Sequence, residues 1–217
     1  MEISFICNAG LMLRYADHTL TIDAPNSLCL PYYRLPDEEW KRICERENIC
    51  GFFFTHDHPD HLDRTRLHQY LSEIDLPCFC PDADVSEGKI DIGPFTIEYH
   101  CFEHAPLPVV PPHVVALISA GETSVYIAAD SKLDVSMHRN VLKGRRVDAA
   151  IWNAMYLSRT ETRMLMNEVS DKNFVYHMPL KPDTSGIWNK CERNFERYRD
   201  QLKNVTVIGA YPTNIFV

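Results

Sequence analysis

Residues 49–62, ICGFFFTHDHPDHL, end an apolar run in a cluster of metal-binding side chains. His56, His58, Asp60 and His61 place three imidazoles and a carboxylate within six residues. Such groups together suit a borderline divalent cation such as Zn²⁺. In extended backbone, side chains two apart point the same way, so His56 and His58 can converge on one ion. Pro59 fixes its own φ and keeps the preceding residue out of helix. Asp60 and His61 then leave in a new direction, as at a helix start, placed to serve a second ion. The alternative is a polar turn that happens to be His-rich. Four ligand groups at this spacing behind a buried strand argue against it.

The elements that must position these groups follow from periodicity and turn residues. Residues 2–7, 11–15 and 19–22 read as a β-meander, turning at Asn8-Ala9-Gly10 and ending at Asp23. A proline-constrained loop over 26–36 leads to a helix from Asp37-Glu38-Glu39 to about Glu47; acids suit its N-terminal end. Strand 51–54 is followed by a helix over 61–73 and a short strand over 77–80. Alternation over 88–92 and 95–102 gives a strand pair around Gly93-Pro94. A proline-rich loop over 105–112 precedes a hairpin of 114–119 and 124–129. Helix 134–143, strand 147–152, helix 160–168, strand 173–176, helix 186–203 and strand 205–208 complete the chain. The first half is β-rich and the second alternates helix and strand, in a single domain over 1–217.

Ligand-type residues recur where strands end: Asp23, His56, His104, Asp130 and His177. Strand ends along one sheet edge are a common place to assemble a site. The ordered set HxHxDH…H…D…H resembles the metallo-β-lactamase-fold hydrolase superfamily over nearly the whole chain. The resemblance implies an α/β (α+β) fold, a four-layer αββα sandwich carrying two divalent metal ions, most often Zn²⁺, with Mn²⁺ and Fe²⁺ as alternatives. It implies that His56, His58 and His104 bind one ion and that Asp60, His61 and His177 bind the other. Asp130 then bridges both, and Asp23 supports the ligands from behind. Ala129 stands before Asp130 where many members have glycine, which bears on the local turn.

A water held between two such ions is acidified to a hydroxide near neutral pH. The ions also polarise the substrate oxygen and stabilise the charge that develops there. Asp60 and Asp130 are therefore the expected catalytic carboxylates, Asp60 steering the hydroxide by hydrogen bonding.

Composition narrows the reading. A net charge of −8 argues against duplex nucleic acid or long RNA, which call for a basic face. The 45% hydrophobic content supports a large core. Eight cysteines form no CxxC pair, the N-terminus lacks a signal-peptide pattern, and no run is apolar and long enough to span a membrane. The expectation is a cytoplasmic protein with reduced thiols.

Of ten histidines, five are assigned as ligands. His18 and His138 read as surface residues and His68 as a solvated helix face. His100 rivals His104 but falls inside a strand. His113, after Pro111-Pro112, either donates to a substrate oxygen or caps a strand. The 152–156 segment, Tyr156 included, is placed to wall a pocket, although core packing explains Trp152 equally well. Lys181 is placed to meet an anionic group. Tyr32 and Tyr33 read as a substrate lid or a subunit contact, leaving a homo-oligomer open.

Within the superfamily, flavin-partnered di-iron oxidoreductases have Glu where His58 stands. Glyoxalase-type thioesterases add a helical domain, and secreted lactamases need a signal peptide. RNA-processing members carry a basic exosite arm or an inserted domain. The expectation that remains is hydrolysis of an ester-type bond, phosphodiester or lactone, in a small anionic molecule. A non-heme di-iron redox protein and a non-catalytic metal-binding protein are the alternatives.

Overall fold

The computed structural model describes residues 1–105, 110–179 and 181–217. Part of the expected proline-rich loop, 106–109, lies outside them.

Strands whose both faces are covered read as nearly continuous apolar runs, and this chain has many. The run Phe52-Phe53-Phe54 divides by pleat. Phe53 joins a central cluster with Ile3, Phe5 and Leu20, whereas Phe52 and Phe54 join Trp40, Ile43 and Leu67 on the opposite face. The same alternation places Ile151 in the central cluster and Ala150 and Trp152 in an outer one with Leu165 and Met166. Three apolar layers therefore separate four layers of secondary structure. The architecture is the expected αββα sandwich.

The first sheet has six strands in the order β13-β1-β2-β3-β4-β5. These are β1 (Glu2–Phe5), β2 (Leu11–Tyr15), β3 (His18–Ile22), β4 (Ile49–Phe53), β5 (Cys78–Phe79) and β13 (Thr213–Phe216). Helices α1 (Asp37–Arg46) and α2 (Arg64–Leu71) supply apolar residues to its outer cluster. The second sheet has seven strands in the order β12-β11-β10-β9-β8-β7-β6. They are β6 (Gly88–Ile92), β7 (Phe95–Cys101), β8 (Val114–Ala120), β9 (Thr123–Ile127), β10 (Ala149–Asn153), β11 (Asn173–Tyr176) and β12 (Val205–Val207). Helices α3 (Val135–Leu142), α4 (Thr160–Val169) and α5 (Ile187–Arg197) cover its outer face. No helix among the described residues is long and apolar enough to cross a membrane.

Three elements differ from expectation. Helix α2 begins at Arg64 rather than at residue 61, because the Asp63 carboxylate accepts from the Thr65 and Arg66 amides. Asp60 and His61 thus sit in a turn, where the His61 and Leu62 amides both donate to the His58 carbonyl. Helix α5 stops at Arg197, short of residue 203, as Tyr198 leaves helical geometry under the Arg163 guanidinium, 3.6 Å above its ring. Strand β13 was not expected; it adds antiparallel to β1, Ile3 opposite Ile215. Its four residues alternate intermediate and exposed, a weak signal for an edge strand.

Candidate metal centre

The pairing of parallel neighbours β3 and β4 brings Asp23 and Thr55 together at their ends. The Thr55 amide donates to Asp23 Oδ1 and its hydroxyl to Asp23 Oδ2, both at 2.8 Å. Asp23 Oδ2 also stands 3.0 Å from His61 Nδ1, where it fixes the ring from behind. The Thr55 hydroxyl, its proton already committed to Asp23, accepts from His56 Nδ1 at 3.0 Å. His56 is thereby held with Nε2 as its free lone pair. His104 Nδ1 donates to the Ala105 carbonyl at 2.7 Å, which frees Nε2 in the same way.

The freed atoms gather in two groups, His56 with His58 and His104, and Asp60 with His61, Asp130 and His177. His56 Nε2 lies 3.0 Å from His58 Nδ1. Asp130 Oδ2 is 3.3 Å from His177 Nε2, 3.5 Å from His61 Nε2 and 3.8 Å from His104 Nε2, so it faces both groups. Asp60 Oδ2 is 3.0 Å from His177 Nε2. Tetrahedral ligands at Zn–N lengths stand about 3.4 Å apart, the same scale as these separations. His104 Nε2 is buried and has no hydrogen-bond partner among the described residues. The donor set fits two divalent ions.

Electrostatics point the same way. Burial opposes charge on Asp130, yet the fields of His177 and His61 hold its pKa well below the usual range. Burial likewise works against the Asp60 carboxylate, but His177 and His61 bring it down to about 2. His61 is pushed well above its ordinary value: burial lowers it, and the Asp23 and Asp130 charges overcome that. Two buried carboxylates in one cleft require cations, either protons on these imidazoles or metal ions.

Asn8 and Asn153 belong to this centre, though their residue types did not mark them as ligands. The Asn8 amide lies 3.1 Å from Asp60 Oδ2 and 3.2 Å from His177 Nε2, fully buried. In the sequence it read only as part of a turn. The Asn153 amide donates to Asp130 Oδ1 at 2.6 Å, turning the other oxygen toward the histidines.

A cavity of about 740 Å³ opens over the cluster, with His58, Asp60, His104, Asp130 and His177 in its floor. Tyr32 lines it and sets its ring edge-on to His177, centroids 4.6 Å apart, whereas Tyr33 stacks on Tyr211. Of the 152–156 segment, Asn153, Ala154 and Met155 form wall; Trp152 and Tyr156 do not.

Several expected placements need correction. Tyr156 is fully buried behind the wall, its hydroxyl bonded to His138 Nε2 at 2.5 Å and to Ser131 at 2.7 Å. His138, expected at the surface, is 0% exposed, because α3 turns it inward between Tyr126 and Tyr156. Lys181 does not line the cavity; it pairs with Glu192 and lies over the Trp188 ring. His113 is buried beside the cluster, its ring 5.1 Å from His56 and 5.4 Å from His104, and outside the cavity wall. His100, the rival of His104, needs no such correction: it lies inside β7 and faces Glu87.

Two face-to-face sheets, outer helices and a His/Asp cluster at the strand ends define the class. The chain has the metallo-β-lactamase fold. Among solved structures it resembles the metallo-β-lactamase fold protein YhfI of Bacillus subtilis, with TM-score 0.69 and 16% identity over 99% of this chain and 98% of that one. A possible metal-dependent hydrolase of Veillonella parvula gives TM-score 0.69 and 15% identity over 100% and 99%. The diiron β-hydroxylase CmlA of Streptomyces venezuelae gives 0.66 and 16%, and this chain spans 54% of its length. No family model matches the sequence, and no curated protein does.

Proposed function

We propose that the protein is a dinuclear metal-dependent hydrolase that cleaves an ester-type bond, phosphodiester or lactone, in a small anionic molecule. The observation that carries this reading is Asp130, one carboxylate oxygen facing two groups of lone-pair donors on the floor of a cavity. His56, His58 and His104 would hold one ion and Asp60, His61 and His177 the other, with Asp130 between. Ions so held supply Lewis acidity and acidify water. The protein's own groups orient and exclude. Asp23 and Thr55 set the faces of His61 and His56. Asn153 aims Asp130, and Asn8 restrains Asp60 and His177. Asp60, held ionised, is a hydrogen-bond acceptor for the attacking water. Tyr32 covers His177 from the open side.

The test is turnover of generic phosphodiesters and lactones by protein of measured metal content. Two ions per chain and hydrolysis are expected. Asp60→Asn should lower kcat by about 10²-fold or more with modest metal loss; an unchanged rate would sink the role of Asp60. Two iron ions with redox turnover and no hydrolysis would favour the chemistry named for CmlA. Metal binding without turnover would make the chain a non-catalytic member of its fold.

A further inference from the structure

The cavity has a second chemical end. Four of its lining residues, Ile187, Lys190, Cys191 and Asn194, come from α5 at spacings of three and four, one face of that helix. Arg159, just before α4, joins them. Arg159 and Lys190 are exposed, whereas the floor residues His104, Asp130 and His177 are buried. The two cations therefore stand at the open end of the cavity and the metal-type donors at its closed end.

Among the described residues, neither cation has a carboxylate partner. Of the acids on the adjoining helices, Glu192 pairs with Lys181, Glu168 with Arg139 and Glu196 with Arg199, and Glu161 of α4 pairs with neither rim cation. Two unneutralised cations at one rim are conspicuous in a chain of net charge −8. Between rim and floor the wall is mostly apolar, with Leu133, Met155 and Ile187 lining it. A volume of about 740 Å³ is in the range that holds a molecule of drug size.

We propose that Arg159 and Lys190 form an anion subsite, making the substrate an amphipathic anion. Its scissile group lies at the floor, its apolar body along Leu133, Met155 and Ile187, and its carboxylate, phosphate or sulfate at the rim. Ser158 and Asn194, also in the wall, offer neutral donors beside the cations. The apolar wall contributes affinity through area removed from water, and the charged rim selects which apolar molecules enter. This inference rests on the metal-centre reading and not on turnover.

The test is calorimetry on metal-loaded, full-length protein with two hydroxamates of equal chain length. Hexanohydroxamate is neutral at its far end, and the monohydroxamate of adipic acid ends in a carboxylate. Both present a chelating group to the floor. The wild-type protein should bind the carboxylated compound at least tenfold more tightly. In the Arg159→Gln/Lys190→Gln double variant that preference should collapse to within threefold of unity. Added salt should shrink it in the wild type, as for exposed charges. Equal affinities in the wild type, or an intact preference in the double variant, would overturn the subsite. If neither hydroxamate binds, the metal centre and the subsite fall together. Tight, selective binding without ester turnover would leave the subsite standing and remove only the hydrolytic reading.

Discussion

At the scale of single residues, the centre is set by backbone that ordinary side chains avoid. Asp23, Ala129 and His177 have φ of 49°, 48° and 64°, the left-handed region. Each lies at or beside a ligand-bearing strand end, where the turn redirects the next side chains into the cleft. Non-glycine residues in this region cost roughly 1–2 kcal/mol each, and such strain collects at functional sites. Ala129 allows a direct test. Glycine there relieves the strain but loses a buried methyl worth about 0.8 kcal/mol and gains unfolded-state freedom worth about 0.4–1 kcal/mol. Ala129→Gly should therefore change stability by less than about 0.8 kcal/mol in either direction in urea unfolding. Ala150→Gly, in a buried strand without that strain, should cost at least 1 kcal/mol more than Ala129→Gly. Equal costs would show that position 129 carries no strain. The metal-type donors were legible because imidazoles and carboxylates have few other reasons to sit at strand ends. Asn8 and Asn153 were not, because an amide near a strand end also serves ordinary turns.

At the scale of elements, the strands were legible where both faces are apolar, as in β4 and β8. They were not at β13, whose four residues are half exposed at a sheet edge. Helix α3 shows why an inward histidine escaped. Its outer residues are polar, and only packing reveals that His138 turns in. There Tyr126 Oη lies 2.6 Å from Nδ1 and Tyr156 Oη 2.5 Å from Nε2. A neutral imidazole satisfies both contacts, one as donor and one as acceptor. Burial brings the His138 pKa down to about 3, with Asp134 opposing weakly. Above about pH 6.5 folded and unfolded forms are both neutral at this residue. As pH falls from 6.5 towards 3 only the unfolded chain takes the proton, so stability is lost across that window. One proton corresponds to about 1.4 kcal/mol per pH unit. His138→Gln cannot titrate, so its stability should fall less steeply between pH 6.5 and 4.5, by up to that slope. Parallel pH profiles for the two proteins would exclude His138 as an acid-sensitive element.

At the scale of the whole molecule, the centre is also a seam. His56, His58, Asp60 and His61 follow β4 of the first sheet. His104, Asp130 and His177 follow β7, β9 and β11 of the second. Ions held by both groups would tie the sheets together at one edge, where apolar packing gives way to a cleft. The unfolded chain keeps only the local HxHxDH cluster, so folding gathers most of the binding energy. Ligand at a thousand times its dissociation constant stabilises by about 4 kcal/mol per site. For a chain of this length each kcal/mol moves Tm by roughly 2–4 °C. Removing the ions with a chelator should therefore lower Tm by roughly 10 °C or more, and Zn²⁺ should restore it. Mg²⁺ should not, since five of the seven donors are nitrogens. The seam also predicts coupling across the sheets. His56→Ala and His177→Ala should each remove part of the metal-dependent increment, and the double variant should lose less than the sum. Calorimetric scans with and without metal check both points. If the ions leave, as elemental analysis would report, and Tm does not move, the two sheets close on their apolar core alone and the metals are guests of a finished fold.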